Sequence, residues 1–238
     1  MANIVLGIGT SHGPMLSTPP EQWGQRVEAD RSSNELWFNG EQMTYEELLA
    51  ARREEHLQKE LTDEVKRKRF DACQAAIETL ANVYAEVKPD AAVIFGDDQL
   101  EVIGEDNMPA FMVYWGEEIH QVPPTAEQLA KMPPGIAIAV PSHNPPEHVV
   151  QPGNPELGLH IIKTLMARHF DLSHSKKLPA GRHGNGNVPH AYGFIYRRIM
   201  RDHAAPNVPI FLNTFYPPTQ PTLRRSYDFG KAVGDAIR

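Results

Sequence analysis

The sequence predicts an α/β fold, in which a mostly parallel or mixed central sheet is flanked by helices in a single layered domain over residues 1–238. Short apolar, β-prone runs alternate along the chain with amphipathic helical segments, and this order is typical of layered α/β domains. Polar or glycine-containing loops follow several of the predicted strands. The length of 238 residues is also enough to bury a substantial core without disulfide bonds.

The composition excludes several classes of protein. The 23 Lys and Arg residues and 30 Asp and Glu residues give a net charge of −7, so we expect neither nucleic acid nor an anionic membrane as a partner. The single cysteine, Cys73, excludes an intramolecular disulfide, and its place in a helical pattern predicts a buried side chain. No apolar run approaches the roughly 20 residues needed to span a bilayer. The amino-terminal segment lacks the features of a signal peptide. We therefore expect a cytoplasmic protein.

The first half of the chain contains a strand, a surface segment and two helices. Residues 4–8 are a short apolar run that predicts a buried strand. Residues 20–60 are irregular but carry aromatic side chains, which indicates an ordered excursion over the surface of the domain. Thr44 is a suitable cap for a helix over residues 44–49. Apolar residues at three-to-four spacing predict a long helix over residues 61–87, with Thr62 as its cap.

The remaining elements are predicted by the same signals. Further strands are expected over residues 91–95, 111–115, 136–140 and 210–213, and further helices are expected after Asn154, over residues 191–200 and after Thr222. Asn154 is followed by proline and glutamate, which is a favourable start for a helix.

Polar side chains follow three of the predicted strands, at the ends where open α/β sheets bind ligands, and the third of these loops covers residues 213–218. His12 follows the first strand, and its ring is either a metal ligand or a hydrogen-bonding partner of a neighbouring carbonyl. Asp97, Asp98 and Gln99 follow the strand over residues 91–95. Two adjacent carboxylates in a partly buried site favour a bound cation or a raised pKa, but they also commonly cap backbone N–H groups in loops.

A glycine-rich loop before the helix over residues 191–200 carries two further candidates. Glycine and asparagine surround His183, so that a ligand can approach the backbone closely there. His190 follows a proline at the predicted start of the helix, where the helix dipole would lower its pKa. Each histidine is either a general acid or base, or a structural hydrogen-bond donor.

Five motifs follow one another along the chain. They are Gly9-Thr10-Ser11-His12-Gly13-Pro14, residues 91–99 with 107–111, Gly153-Asn154-Pro155-Glu156-Leu157 through Phe170-Asp171-Leu172, residues 183–192, and residues 209–218. In this order they resemble the class III extradiol ring-cleavage dioxygenases, the superfamily of the catalytic subunit of protocatechuate 4,5-dioxygenase. The resemblance covers most of the chain except about residues 20–60.

The resemblance implies a non-haem Fe(II) centre with two histidine ligands and a glutamate, for which Mn or Zn are alternatives. His12 matches the first histidine, while the second position falls on Asp98 or Gln99, depending on the alignment. The family's histidine that contacts oxygen or substrate is matched by His183 or His190. The resemblance also implies that the family's acid–base histidine and glutamate ligand would follow Arg238, so we expect the chain to lack the family's carboxyl-terminal portion.

The resemblance implies cleavage of an aromatic diol with O₂, in a homo-oligomer or a heteromer with a small subunit. If the substrate is an aromatic acid, Arg182 is the candidate for binding its carboxylate, with Arg224 and Arg225 as weaker candidates. One alternative is a metal-dependent hydrolase on the same scaffold, because a carboxylate or amide ligand favours harder ions. The other alternative is a non-catalytic homologue or subunit.

Overall fold

The computed structural model describes residues 2–33, 35–133 and 135–238. They divide into two compact units. The first unit comprises the residues up to Gly9, Leu80–Pro123 and His143–Arg238, and the second comprises Thr10–Thr79 and Pro124–Ser142. The organisation of the whole chain as one domain stays a prediction.

Helices and strands alternate along much of the chain. The helices are α1 (Gly24–Arg31), α2 (Tyr45–Ala51), α3 (Asp63–Val87), α4 (Ala126–Ala130), α5 (Pro155–Ala167), α6 (His190–Phe194) and α7 (Leu223–Ile237). The strands are β1 (Leu36–Phe38), β2 (Glu41–Met43), β3 (Ala92–Asp97), β4 (Phe111–Tyr114), β5 (Glu118–Gln121), β6 (Val149–Pro152), β7 (Ser173–Ser175) and β8 (Asn207–Leu212). A π-helical turn, Ile195–Ile199, continues α6.

The first unit is built on a four-stranded mixed sheet in the order β3-β8-β4-β7. Strands β3 and β8 are parallel, as are β4 and β7, whereas β4 and β8 are antiparallel. Strands β5 and β6 form a separate antiparallel ribbon. The mixed sheet confirms the α/β class that the sequence predicts.

Alternate side chains of the sheet enter two different cores, because successive residues of a strand point to opposite faces. On one face, Phe111, Val113 and Ile210 pack with residues of α5 and α7. Phe111 and Phe229 stack there with ring centroids 3.9 Å apart. On the other face, the buried side chains are Ile94, Met112, Tyr114, Phe211, and Tyr192 and Tyr196 from α6 and the π-helical turn. The result is a helix–sheet–helix sandwich.

The helix starts that the sequence predicts are confirmed, because capping is a local interaction. Thr44 and Glu47 form a reciprocal capping box at the start of α2. The side chain of Asn154 accepts the N–H of Leu157 at 3.1 Å, and Pro155 is the first residue of α5. Thr222 caps α7 in the same way.

Two predicted strands are wrong. Residues 4–8 form no strand within the described part of the chain, and Ile4 and Val5 are 48% and 62% exposed. An apolar run becomes a strand only where a neighbouring strand accepts its hydrogen bonds. Residues 136–140 instead belong to a 3₁₀ helix, Ala137–Ser142, in which Ala139 and Val140 are buried. A short apolar run does not distinguish a buried strand from a buried helical turn.

The second unit contains α1, the β1–β2 hairpin, α2 and α4. Asn39 and Gly40 form the hairpin turn with positive φ angles of 51° and 83°, which these two residue types tolerate. The predicted burial of Cys73 is wrong, since its side chain is exposed. It lies one turn before Ile77, where the buried part of α3 begins.

None of the helices in the described ranges combines the length and the apolar character needed to cross a membrane.

Candidate active site

The candidate active site lies at the carboxyl ends of β3 and β8 in the first unit. These parallel strands end at the same edge of the sheet, where Asp97 is the last residue of β3 and Asn213 follows β8. We call the polar residues at this edge the strand-end cluster, which comprises Asp98, Glu101, Arg182, His190 and Tyr216.

The carboxylate of Asp98 holds the loop that follows β3. The residue is 4% exposed, and its oxygens accept the backbone N–H groups of Glu101 at 3.1 Å, Val102 at 3.0 Å and Ile103 at 2.7 Å. Burial raises the pKa of Asp98 despite these bonds, which favour the charged form. The geometry agrees with the loop-capping alternative of the sequence analysis, and the role of Asp98 as a metal ligand stays a prediction.

Gln99 contacts its own loop. Its Nε2 donates to Oδ2 of Asp97 at 3.1 Å. The side chain is half-buried beside the cluster. Its proposed place among the metal ligands stays a prediction.

Glu101 and His190 form the central ion pair of the strand-end cluster. Oε1 of Glu101 lies 2.5 Å from Nδ1 of His190, and Oε2 accepts the backbone N–H of His190 at 3.1 Å. Only 12% of the Glu101 side chain and 26% of the His190 side chain are exposed. The carboxylate therefore fixes both the orientation of the imidazole and the start of α6.

The contact between Glu101 and His190 stabilises the charged form of each side chain. Burial acts to raise the pKa of Glu101, but the hydrogen bonds and positive charge of His190 lower it overall. Burial acts to lower the pKa of His190, but the bond to Glu101 and its charge raise it overall, with a contribution from Asp97. The prediction that the helix start lowers the pKa of His190 is wrong, because the hydrogen bond and the charge of Glu101 raise it.

Arg182 brings positive charge to the cluster, and its backbone N–H donates to the carbonyl of Glu101 at 3.0 Å. Its charge lowers the pKa of Glu101 and opposes the rise at His190. The guanidinium is exposed, and its Nε donates to Nε2 of His183 at 3.2 Å. His183 is thus an exposed neighbour of the cluster.

Tyr216 is the member of the strand-end cluster that comes from the loop after β8. The side chain of Asn213 fixes this loop, because its Oδ1 accepts the N–H of Tyr216 at 2.8 Å and its Nδ2 donates to the carbonyl of Tyr216 at 2.7 Å. Burial and the nearby charges of Asp98, Asp97 and Glu101 raise the pKa of Tyr216. These causes all favour the neutral phenol over the phenolate.

The remaining candidates are His12, Arg224 and Arg225. His12 belongs to the second unit, where it precedes the 3₁₀ turn Pro14–Leu16. Arg224 pairs with Asp228 at 3.0 Å within α7, and the guanidinium of Arg225 lies 4.2 Å from the ring centroid of Phe170. Within the described ranges, no group of three or more His, Cys, Asp or Glu side chains is arranged to hold a metal ion.

Glu101 is not among the candidates that the sequence predicts, whereas Tyr216 lies in the strand-end loop over residues 213–218 that the sequence predicts. Glu101 lies four residues beyond the end of β3, and an acidic residue in such a loop is a signal that could have been used. Its partner His190 is 89 residues away along the chain, so no local pattern connects them.

Comparison with known protein families gives one result of direct relevance. A family model described as the catalytic LigB subunit of aromatic ring-opening dioxygenase matches residues 56–238. The matched range contains the whole strand-end cluster and excludes His12. Comparison with curated proteins finds no match.

Proposed function

Because the chain belongs to the family of the catalytic LigB subunit of aromatic ring-opening dioxygenases, we propose that it opens a catechol-type ring with O₂ by extradiol cleavage. In this reaction the carbon–carbon bond beside the diol breaks, and both oxygen atoms enter the product. The observation that supports this proposal most directly is the Glu101–His190 pair at the carboxyl edge of the sheet.

The pair is suited to move a proton of the diol. Nδ1 of His190 is bound to Glu101, so proton exchange with a substrate takes place at Nε2. Glu101 makes the imidazole more basic, and a base positioned within reach of a catechol hydroxyl promotes its ionisation. The fixed ring also avoids the cost of orienting the base during the reaction. His190 is therefore the proposed acid–base residue, and Glu101 positions it.

The positive charge of Arg182 favours a substrate that carries a negative charge. Its exposed guanidinium adds a cationic group to the strand-end cluster, and arginine pairs with carboxylates through two parallel hydrogen bonds. We propose that Arg182 binds the carboxylate of an aromatic acid. His183 contacts Arg182 and is proposed to orient it rather than to take part in the chemistry.

The family implies a non-haem metal, and we propose Fe(II), with Mn or Zn as alternatives. The described residues do not fit such a centre by themselves. The oxygens of Asp98 accept three backbone N–H groups, and the amide of Gln99 donates to Asp97. The assignment of His12, Asp98 and Gln99 as ligands therefore rests on the resemblance alone, and it stays a prediction.

The assembly and location are proposed on the same basis. The family description names a catalytic subunit, which supports a homo-oligomer or a heteromer with a small subunit. A cytoplasmic location is consistent with the expectation from the sequence.

A non-catalytic role is the second candidate, and the backbone hydrogen bonds of Asp98 favour it. A carboxylate that holds a loop in place has little capacity left for a metal. In this case the family scaffold would be retained without turnover.

The test is oxygen uptake after anaerobic loading with Fe(II). Catechol, protocatechuate and gallate are supplied in turn, with Mn- and Zn-loaded protein for comparison. We expect oxygen consumption and a ring-opened product with the wild type, and a loss of about 100-fold in His190→Gln. If the wild type consumes no oxygen with any of these substrates, the ring-opening proposal is wrong and the non-catalytic role is favoured.

A further inference from the structure

We propose that His120 and His148 form a surface binding site for a divalent transition metal. Zn²⁺ is the ion for which the site is argued and tested. The two side chains lie in the first unit, and neither belongs to the strand-end cluster that carries the proposed function. His120 is in β5, and His148 directly precedes β6. Nδ1 of His120 lies 3.0 Å from Nε2 of His148, with ring centroids 5.2 Å apart.

The spacing of the two nitrogens is close to that of a bound metal. Zinc binds imidazole nitrogen at about 2.0–2.1 Å, so two neighbouring ligands of a tetrahedral zinc are about 3.3–3.4 Å apart. The nitrogens therefore need to separate by only a few tenths of an ångström to admit the ion. This shift is small, because His148 is exposed and the side chain of His120 is 39% exposed.

Glu118 favours the form of His120 that binds a metal. Its Oε2 lies 3.7 Å from Nε2 of His120, on the side of the ring away from His148. A carboxylate on that side stabilises a proton on Nε2, which leaves the lone pair of Nδ1 directed at His148. Histidine ligands of metals commonly have a carboxylate in this position.

The backbone holds the two histidines in register. In the β5–β6 ladder, His120 pairs with Val150, two residues after His148. The carbonyl of His120 also accepts the N–H of Val188 at 2.9 Å, which ties the strand to the loop before α6. Because the ligands are ordered before the metal arrives, binding costs little conformational freedom.

The site offers two protein ligands, so water completes the coordination of the ion. Imidazole binds Zn²⁺, Ni²⁺ and Cu²⁺ well and binds Mg²⁺ and Ca²⁺ poorly. We therefore expect selectivity for the first group. Binding weakens as the pH falls, because protons compete for the same nitrogens.

The experiment is an isothermal titration of the full chain with Zn²⁺ at pH 7.5. We expect the wild type to bind Zn²⁺, and His148→Ala and His120→Ala each to bind at least about tenfold more weakly. Glu118→Gln is expected to bind several-fold more weakly, because the orientation of His120 is lost. Mg²⁺ is expected to give no binding signal at the same concentrations.

His203→Ala is the matched control, because His203 is an exposed histidine of the same unit on a different segment. It is expected to bind Zn²⁺ as the wild type does. Circular dichroism confirms that each variant is folded, and ¹⁵N shifts of the imidazoles report directly on which rings bind. The proposal is wrong if the wild type does not bind Zn²⁺, or if the His148 variant binds as tightly as the wild type.

Discussion

The ring of Tyr192 lies directly against Gly96, so that a Cβ atom at Gly96 would come within 2.9 Å of Cζ of the tyrosine. The Tyr192 hydroxyl lies 3.0 Å from the carbonyl oxygen of Gly96 in β3 and 2.7 Å from that of Ile210 in β8. Tyr192 thereby joins the two parallel strands. Because His190 lies two residues before it in α6, this contact also sets the position of the proposed acid–base residue.

Replacing Gly96 is expected to disturb both stability and the position of His190. In Gly96→Val the added side chain displaces the Tyr192 ring, and overpacking of this kind costs about 1–3 kcal/mol. Urea denaturation measures the change in the free energy of unfolding. Tyr192→Phe keeps the ring and removes only the hydroxyl, so it is expected to cost about 1 kcal/mol. Equal stability of Gly96→Val and the wild type would contradict the contact.

Removing the charge of Glu101 is expected to lower the pKa of His190. In Glu101→Gln the imidazolium loses the partner that stabilises it in the partly buried site. Titration of the His190 ring by NMR measures the shift. Arg182→Gln should raise the pKa of His190, because the positive charge of Arg182 lowers it in the wild type. An unchanged His190 pKa in Glu101→Gln would show that the ion pair does not form in solution.

The same pair makes stability depend on pH in a defined window. The raised pKa of His190 contributes stability that is fully present below its unfolded value of 6.5 and is lost as the pH rises through the folded value. The lowered pKa of Glu101 contributes stability that is present above its unfolded value of 4.5 and is lost as the pH falls through the folded value. The difference in stability between wild type and Glu101→Gln should therefore be largest between about pH 4.5 and 6.5.

Urea denaturation of both proteins across the pH range checks this window. A difference that is constant from pH 4 to pH 9 would mean that Glu101 contributes through packing, and not through its charge.

Arg182 is expected to affect carboxylated substrates selectively. Arg182→Gln removes the charge, and loss of a charge-assisted hydrogen bond costs about 1.5–3 kcal/mol. KM for protocatechuate should rise by roughly 10- to 100-fold, while KM for catechol should stay close to that of the wild type. Steady-state oxygen uptake measures both. Equal effects on the two substrates would exclude a role in binding the carboxylate.

Asp98 is expected to support the loop after β3 independently of any metal. In Asp98→Ala three backbone N–H groups lose their acceptor, which costs on the order of 2–4 kcal/mol in unfolding free energy. The loss should be the same with and without a chelator. Gln99→Ala removes the neighbouring side chain and is expected to change stability by less than about 0.5 kcal/mol. A destabilisation of Asp98→Ala that vanishes in the chelator would instead support metal binding.

The parts of the fold with local signals could be predicted, and the parts that depend on pairing could not. Thr44, Asn154 and Thr222 mark helix starts because a cap bonds to groups a few residues away. Residues 4–8 resemble a strand in composition but have no strand to pair with among the described residues. Strands β1, β2, β5, β6 and β7 are not predicted, since each is only three or four residues long. The pairing partners of β5, β6 and β7 are also distant in the sequence.

Some residues of the candidate site could be identified from the sequence, and others could be identified only from the structure. Asp98, Arg182 and His190 could be identified because each lies in a polar loop beside a predicted strand or helix. Glu101 is an ordinary acidic residue in the sequence, and only its contact with His190 gives it a role. Likewise, the pKa of His190 was predicted in the wrong direction because its nearest charge comes from a different loop.

The sequence by itself determined the α/β class, the helix starts, the resemblance to ring-opening dioxygenases and the loops in which site residues would be found. Only the tertiary structure decided which side chains meet. It joined Glu101 to His190, placed Tyr192 against Gly96 and directed the oxygens of Asp98 to its own loop. The physical reason is that caps and periodicity act over a few residues, whereas the partner of a buried charge is set by the path of the whole chain.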